Sequence, residues 1–282
     1  WNGYLADVYL IDGQAKLPTD FAYTESQTGI WKPKHYTGTF GTGGAHLEFK
    51  DSSSVTALGK DTSGNGNDFT PTTNGFNVTA GAGNDSVTDT PTNNFCTMNP
   101  LDMHSSLSIR NGALQVGEGN DWRGIKGTFG VSSGKWYYEF KTGNSNIFCG
   151  WVADDTTGTN NISTNPQDSN SAMSAGVLIF CDDGKYQLDT GGSGTRINYS
   201  SALAVNDVLG CAIDLDNNTA QFYKQGSALG SIDISSSKLA TKKVMPYFIC
   251  HPFSDPDYTF NFGQQAFAYT PPTGYQSLCS AN

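Results

Sequence analysis

The stretch "GKWYYEFKTGNSNIFCGWVADD", residues 134–155, concentrates Trp, Tyr and Phe side chains in a chain that is otherwise rich in Gly, Asn, Ser and Thr. It predicts two β-strands, 135–141 and 146–153, separated by a polar turn. Alternate side chains of a strand share one face, and two packed sheets leave a gap of about 10 Å to be filled. We therefore interpret the inward-facing aromatic side chains as core rather than as a binding site: Tyr138, Phe140, Phe148 and Trp151.

The composition of the 282-residue chain favours an all-β protein, because Glu is rare while Gly and Asn are abundant. Its formal net charge of −10, with no Lys/Arg stripe, is expected to repel nucleic acid and anionic membranes. No apolar run reaches the roughly 18 residues needed to span a bilayer, so we expect no membrane insertion. The first residues lack a signal-peptide pattern; either the chain is not secreted by that route or its start lies upstream.

The cysteines can be interpreted in two ways. Four of them lie inside apolar runs, at positions 149, 181, 211 and 250. Cys commonly serves as a small core side chain, and no CxxC pair is present, so we favour buried, reduced thiols and synthesis in a reducing cytosol. A disulfide framework is the alternative.

Further along the chain, short apolar runs alternate with Gly, Asn and Asp clusters, a pattern typical of an antiparallel, jelly-roll-like β-sandwich. The Asn217-Asn218 pair predicts a hairpin turn, because Asn tolerates positive φ. The strands predicted beyond the opening pair are 176–182, 185–189, 207–216, 219–224, 244–250 and 258–263.

The domain organisation follows from where these patterns change. We expect residues 1–20 to be the closing strand of a preceding or incomplete β-sandwich, and 21–104 to be a smaller Gly/Ser/Asn-rich segment of strands and loops. Residues 105–275 are predicted to form the main sandwich, and 276–282 a tail.

The motifs of the C-terminal part resemble the SPRY domain. They are "GIKGTFGVSSGKWYYEF" (124–140), "IFCGWVADD" (147–155), "GVLIFCDDGKYQL" (176–188), "DVLGCAIDLDNNTAQFYKQG" (207–226) and "PYFICHPFSDPDYTFNFGQQAFAYTPPTGY" (246–275). The N-terminal part, through "GYLADVYLIDGQAKLPTDF" and "LEFKDSSSVTALGKDTSGNGNDFT" (47–70), resembles laminin-G/concanavalin-like segments of bacteriophage structural proteins, especially marine ones. The resemblance implies binding through loops at one edge of the sandwich, with no catalytic residues.

The sequence offers no catalytic set of its own. Paired Glu residues of glycosidases, a G-x-S-x-G elbow, a Walker loop, a dinucleotide fingerprint and a His pair at metal-ligand spacing are all missing, so we expect no enzyme and no cofactor. A polysaccharide-degrading enzyme built on Asp pairs is the less favoured alternative. In "DTSGNGND", Asp61 and Asp68 could hold a loosely bound Ca²⁺, or the segment is only a Gly/Asn turn.

The candidate ligand-binding residues lie in loops that combine aromatic faces with hydrogen-bonding side chains. The long polar insertion 154–175 is either a contact loop or a solvated connection. The aromatic candidates Trp122, Tyr199 and Phe253 could instead belong to the core. The full set is Trp122, Asp155, Asn160, Asn161, Arg196, Tyr199, His251, Phe253 and Asp255.

These observations and the resemblance predict a non-enzymatic phage virion protein, a tail fibre or capsid appendage, assembled in the host cytoplasm. Its SPRY domain would bind a host surface glycan, a receptor protein or another virion protein. A purely structural, self-assembling virion module is the alternative, and in either case we expect a homo-oligomer.

Overall fold

The computed structural model describes residues 5–26, 29, 31–71, 78, 86–88, 93–117, 123–143, 147–155, 175–189, 196–250 and 258–282. Contacts divide the chain into two compact units. Unit 1 comprises residues 1–79 and 84–87, and unit 2 comprises 80–83 and 88–282. Within the described ranges, no helix has the length and apolar character needed to cross a bilayer.

Unit 1 contains short strands in two antiparallel pairs. The first pair joins Val8–Leu10 (β1) to Ala45–Leu47 (β4), and the second joins Ala22–Thr24 (β2) to Trp31–Pro33 (β3). It also contains a 3₁₀ turn, Pro18–Asp20, and a one-turn helix, Val55–Leu58 (α1).

The single strong strand expected near the start of the chain is much shorter in the structure. Among residues 5–17, only β1, three residues long, is a strand. Asp7 has a φ of 48° and Gly13 a φ of 71°, and such left-handed residues interrupt an extended backbone on both sides of β1.

The described residues of unit 2 form fifteen strands and one 3₁₀ turn, Lys238–Ala240. In chain order, the strands are Met98–Met103 (β5), Ser108–Arg110 (β6), Gln115–Gly117 (β7), Arg123–Gly127 (β8), Lys135–Lys141 (β9), Ile147–Ala153 (β10), Gly176–Phe180 (β11), Lys185–Asp189 (β12), Arg196–Asn198 (β13), Val208–Asp214 (β14), Thr219–Lys224 (β15), Ser227–Asp233 (β16), Val244–Cys250 (β17), Tyr258–Asn261 (β18) and Gln276–Ser277 (β19).

These strands form two sheets. One has the order β13-β12-β11-β10-β17-β8-β5, and the other has the order β16-β15-β14-β9-β18-β7-β6, with β19 added parallel to β9. Every other pairing is antiparallel, so the predicted all-β antiparallel sandwich is confirmed. Strands β5 and β19 also show that residues on both sides of 105–275 contribute to the sheets.

The aromatic side chains of the opening stretch fill the space between the sheets, as predicted. Tyr138 and Trp151 lie on strands of different sheets, with ring centroids 5.1 Å apart. Phe140 and Phe248 make a second contact of this kind at 5.4 Å. All four side chains are fully buried, and Phe148 is buried with them, so the core interpretation is confirmed.

The predicted hairpin at Asn217-Asn218 is also confirmed. It joins β14 to β15, and Asn218 adopts a φ of 54°. The Asp214 carboxylate accepts hydrogen bonds from the backbone N–H groups of Asp216 and Asn217 at 3.1 and 3.0 Å, which fixes the turn locally.

All six cysteines are free and buried, as favoured from the sequence. Cys149 and Cys211 face each other across the sandwich, with their sulfurs 4.0 Å apart. Burial raises the pKa of the Cys96 thiol to about 11 and that of Cys250 to about 12, so both remain protonated near neutral pH.

A buried carboxylate, Glu139, ties the segment after β18 to the sandwich. Its oxygens accept hydrogen bonds from the N–H groups of Ala268 and Tyr269 at 2.7 and 2.9 Å. The Tyr137 hydroxyl donates a third hydrogen bond to it at 3.3 Å. Burial raises the pKa of Glu139 even though these three donors act to lower it.

Candidate functional site

The outer strand β13 brings two of the predicted ligand-binding residues, Arg196 and Tyr199, to one edge of unit 2. In the described part of the chain β13 pairs with β12 alone. An outer strand presents backbone groups with which another extended chain can pair. Ile197, the middle residue of β13, is 45% exposed and adds an apolar contact at this edge.

Arg196 lies flat against the aromatic side chains of the same sheet. Its guanidinium carbon is 3.7 Å from the ring centroid of Phe180 and 5.5 Å from that of Phe148. Both rings are fully buried. A guanidinium over an aromatic face is attracted by the negative charge of the ring face, so this stacking fixes the orientation of Arg196.

Asp183 forms an ion pair with Arg196. It belongs to the turn between β11 and β12, where Gly184 has a φ of 68°. Its carboxylate lies 3.3 Å from Nη1 of Arg196 and 3.1 Å from Nζ of Lys185. Burial opposes ionisation of Asp183, but hydrogen bonds from Lys185 and the nearby positive charges outweigh it and lower its pKa.

Two hydrogen-bond donors of Arg196 lack an acceptor within the part of the chain that the structure describes. Nε and Nη2 are buried, and no acceptor among the described residues reaches them. An unpaired buried donor costs free energy that an incoming carbonyl or carboxylate oxygen would recover. The arrangement can therefore hold an acceptor group in a fixed orientation beside an open strand edge.

Tyr199 has a structural position just beyond β13. Its hydroxyl donates to the carbonyl of Gly230 and accepts from the N–H of Phe222 at 3.2 Å, so it connects β13 to the outer strands of the other sheet. Burial raises its pKa to about 12. The ring contacts Tyr186, with centroids 5.1 Å apart, and its polar group is already satisfied within the sandwich.

Comparison with known families identifies this sandwich. Residues 135–265 match the family model of the SPRY domain. These residues form a SPRY domain. SPRY domains mediate protein–protein interactions. The match begins at residue 135, so the resemblance of the N-terminal part to laminin-G/concanavalin-like segments stays a prediction.

Curated relatives of the chain are RNA helicases by name. It is 28% identical over 193 residues to the ATP-dependent RNA helicase DDX1 of Xenopus laevis, a match that covers 65% of this chain and 23% of that protein. The identity to the Drosophila melanogaster protein of the same name is 28% over 195 residues, covering 66% and 24%. The chain thus spans about a quarter of the length of these relatives.

Solved SPRY structures are also similar. The SPRY domain of human HERC1 aligns with a TM-score of 0.44 and 16% identity, covering 60% of this chain and 99% of that one. The TRIM65 PSpry domain aligns with a TM-score of 0.42 and 17% identity, covering 59% and 91%.

The relatives overturn the expected origin and location. The prediction of a phage virion protein, a tail fibre or capsid appendage assembled in a host cytoplasm, is wrong, because the matched curated proteins come from an amphibian, a fly and a slime mould. The error came from the N-terminal resemblance, whose turn motif rests on Gly, Ser and Asn residues that are common throughout this chain.

Of the remaining predicted ligand-binding residues, one lies within the described part of the chain. Asp155 forms an exposed ion pair with Lys242, at 3.0 Å. The others lie outside the described residues, as does most of the 154–175 insertion: Trp122, Asn160, Asn161, His251, Phe253 and Asp255. Their role in ligand binding stays a prediction.

The two predicted metal residues, Asp61 and Asp68, lie in unit 1. Asp61 accepts hydrogen bonds from the backbone N–H groups of His46, Ser63 and Asn67, at 2.8 to 2.9 Å, and from the Ser63 hydroxyl. Asp68 accepts from the Asp61 N–H at 2.9 Å. Burial opposes ionisation of Asp61, but its donors prevail and lower its pKa to about 2. The Asp61 carboxylate therefore already accepts hydrogen bonds within the turn. The Ca²⁺ site stays a prediction.

Sequence patterns did not identify three residues of the β13 site: Asp183, Lys185 and Ile197. Their relevance depends on the pairing of β12 with β13, which places Lys185 opposite Asn198 and Tyr186 opposite Ile197. The "DDGKY" turn at 182–186 is a visible signal for the Asp–Gly turn itself. Only the register connects that turn to Arg196.

Proposed function

We propose that the chain is a non-catalytic protein-interaction module whose SPRY domain binds an extended segment of a partner protein along β13. The observation that carries the proposal is the position of Arg196 on the outer strand of a sheet. Phe180 and Asp183 orient it, and two of its donors have no acceptor among the described residues. A bound segment would add a strand to the sheet and place a carbonyl or carboxylate oxygen on Arg196.

A protein partner fits the electrostatics better than RNA does. The net charge of −10 opposes a phosphate backbone, and Lys185 and Arg196 at the site are both paired with Asp183. The curated relatives are named RNA helicases, so we propose that the module brings a protein partner to an RNA-related process rather than holding RNA itself.

Selection from a yeast-displayed library of short random peptides tests the proposal. Peptides enriched on the purified chain are then titrated against three variants: Arg196→Lys, Ile197→Asp and Leu101→Asp. Leu101 is 91% exposed and lies on β5, the outer strand at the opposite end of the same sheet, so it is a matched control for Ile197. Lysine keeps the charge of Arg196 but loses its planar stacking and its fork of donors.

We expect Arg196→Lys and Ile197→Asp to weaken peptide binding at least ~10-fold while Leu101→Asp leaves it unchanged, since one lost hot-spot contact costs more than about 1 kcal/mol. Backbone amide shifts on binding should concentrate in β12 and β13. Equal affinity in all three variants, or no enriched peptide, would contradict the β13 site. Tight binding of a single-stranded RNA oligonucleotide at physiological salt would favour a nucleic-acid partner instead.

A further inference from the structure

Unit 1 brings together three potential metal ligands that are separated in the sequence. One donor atom from each of His35, His46 and Glu48 lies within 4.8 Å of the other two. The two imidazole rings have their centroids 5.6 Å apart. No two histidines have metal-ligand spacing in the sequence, but the fold places this pair side by side.

Strand β4 determines which side chains meet. His46 is the middle residue of β4 and Glu48 follows its last residue, so two positions separate them and their side chains extend to the same face. His35 arrives two residues after β3. The ring of His46 stacks on Tyr9 of the paired strand β1, with centroids 4.2 Å apart and planes at 9°, and this contact fixes its orientation.

The hydrogen bonds of His46 match those of a metal-binding imidazole. Its Nδ1 lies 2.9 Å from the hydroxyl of Thr62, and that hydroxyl can donate onward to the His46 carbonyl oxygen at 3.2 Å. In this arrangement Nδ1–H donates to Thr62 and leaves a lone pair on Nε2. Metal-binding histidines generally anchor their second nitrogen in this way.

A carboxylate lies within hydrogen-bond distance of that nitrogen. Oδ1 of Asp7 is 3.1 Å from Nε2 of His46. A lone pair facing a carboxylate oxygen is unfavourable unless a proton or a cation lies between or beside them. A cation at this position would be shared by His46 and the negative charges of Asp7 and Glu48.

We propose that His35, His46 and Glu48 bind a divalent transition-metal ion, with Zn²⁺ as the best match and Asp7 as a neighbouring charge. Two imidazole nitrogens and a carboxylate oxygen form a typical zinc donor set, whereas Ca²⁺ and Mg²⁺ prefer oxygen ligands. Three protein ligands leave one position of the tetrahedron for Asp7 or water.

One ligand of the proposed site has a fixed orientation, and the other two can rotate. Ligands around a tetrahedral zinc ion are roughly 3.4 Å apart, so the donor atoms must close by about 1 Å from their present separation. His46 is buried, His35 is exposed and Glu48 is half-buried, so the latter two can rotate inward. Glu48 also lines an open cleft with Lys60 and Thr62, through which an ion can enter.

Isothermal titration of the metal-free, untagged full chain with Zn²⁺ tests this site. The variants are His35→Ala and Glu48→Gln, with His104→Ala and Asp233→Asn in unit 2 as controls for loss of an unrelated imidazole and carboxylate. Asp233 is exposed and accepts a hydrogen bond from the Ser235 N–H at 2.8 Å. Circular dichroism confirms that each variant is folded.

We expect one Zn²⁺ per chain, binding weakened at least ~10-fold by either site variant and unchanged by the controls. Asp7→Asn should weaken binding by a smaller factor, and Ca²⁺ should not compete. A second measurement is the unfolding midpoint, which Zn²⁺ should raise in the parent chain and not in His35→Ala. Absence of Zn²⁺ binding, or binding unaffected by both site variants, would overturn the proposal.

Discussion

Different interactions stabilise the interior of each of the two units. Unit 2 has two sheets with a continuous aromatic and aliphatic core, in which side chains such as Phe248 and Phe260 are almost completely buried. Among the described residues of unit 1 there are four strands of three residues each. Hydrogen bonds from side chains to the backbone stabilise the loops between them.

The polar turn at 61–68 is an example of this stabilisation by hydrogen bonds in unit 1. Asp61 gathers four donors, and the amide groups of Asn65 and Asn67 donate to backbone carbonyls of residues 41, 42 and 44. Hydrophobic burial depends mainly on area, whereas hydrogen bonds depend on position and direction. We therefore expect the sandwich to tolerate sequence change at its surface, whereas unit 1 depends on a few individual side chains.

The largest effect is expected from Phe248→Ala in unit 2. Phe248 is fully buried and contacts the rings of Phe140, Tyr258 and Phe260. Truncation of a buried Phe leaves a cavity and should lower the free energy of unfolding by about 3–5 kcal/mol. Chemical denaturation followed by Trp fluorescence measures it. Val205→Ala, at a 59% exposed position, should change it by less than ~0.5 kcal/mol; similar losses would contradict the picture of a packed core.

The next effect is expected from Asp61→Ala in unit 1. Loss of the acceptor for four donors should destabilise this unit by about 2–3 kcal/mol. Hydrogen exchange of the His46 amide, which donates directly to Asp61, reports the change locally. Asp51→Ala, which removes a carboxylate bonded to Ser53, is the control.

Asp61 also predicts a pH dependence. Its pKa is lowered from 3.8 to about 2 in the folded chain, so its stabilising effect is complete above about pH 4 and is lost as the pH falls towards 2. The Asp61→Ala variant should lack this dependence in the same exchange experiment. An equal acid sensitivity in both proteins would contradict the role assigned to this carboxylate.

Glu139 should show the opposite pH dependence in unit 2. Because burial raises its folded pKa above 4.5, the folded state binds the proton more tightly than the unfolded state. The free energy of unfolding should therefore fall as the pH rises from 4.5 through the raised pKa. Glu139→Gln should remove this dependence and cost about 1–2 kcal/mol, since an amide NH₂ would face backbone donors. Urea denaturation at a series of pH values measures this dependence. A free energy of unfolding that does not change with pH in the parent chain would contradict the prediction.

The smallest effect is expected at the hairpin. Asn218 has a φ of 54°, which Asn tolerates and Gly adopts freely. Asn218→Ala should destabilise unit 2 by about 1 kcal/mol, and Asn218→Gly should be close to neutral. Thermal unfolding compares the two variants; equal midpoints would show that the turn conformation is not limiting.

Much of unit 2 could be predicted from the sequence because its strands carry strong local signals. Strands β9, β12, β15 and β17 begin and end where the apolar alternation predicts. Strand β16 was missed, because its burial pattern is mostly exposed and gives no alternation. Unit 1 was assigned less well, since three-residue strands are too short for a periodicity to be visible.

The all-β class, the main strands, the buried reduced cysteines and the aromatic core could be predicted from the sequence, because each depends on composition or on a period of two along the chain. Which distant side chains meet could be seen only in the folded chain. It placed Arg196 on Phe180 and Asp183 through the β12–β13 register, and His35 beside His46 and Glu48 through the fold of unit 1. Such contacts depend on chain path and register, which local patterns do not encode.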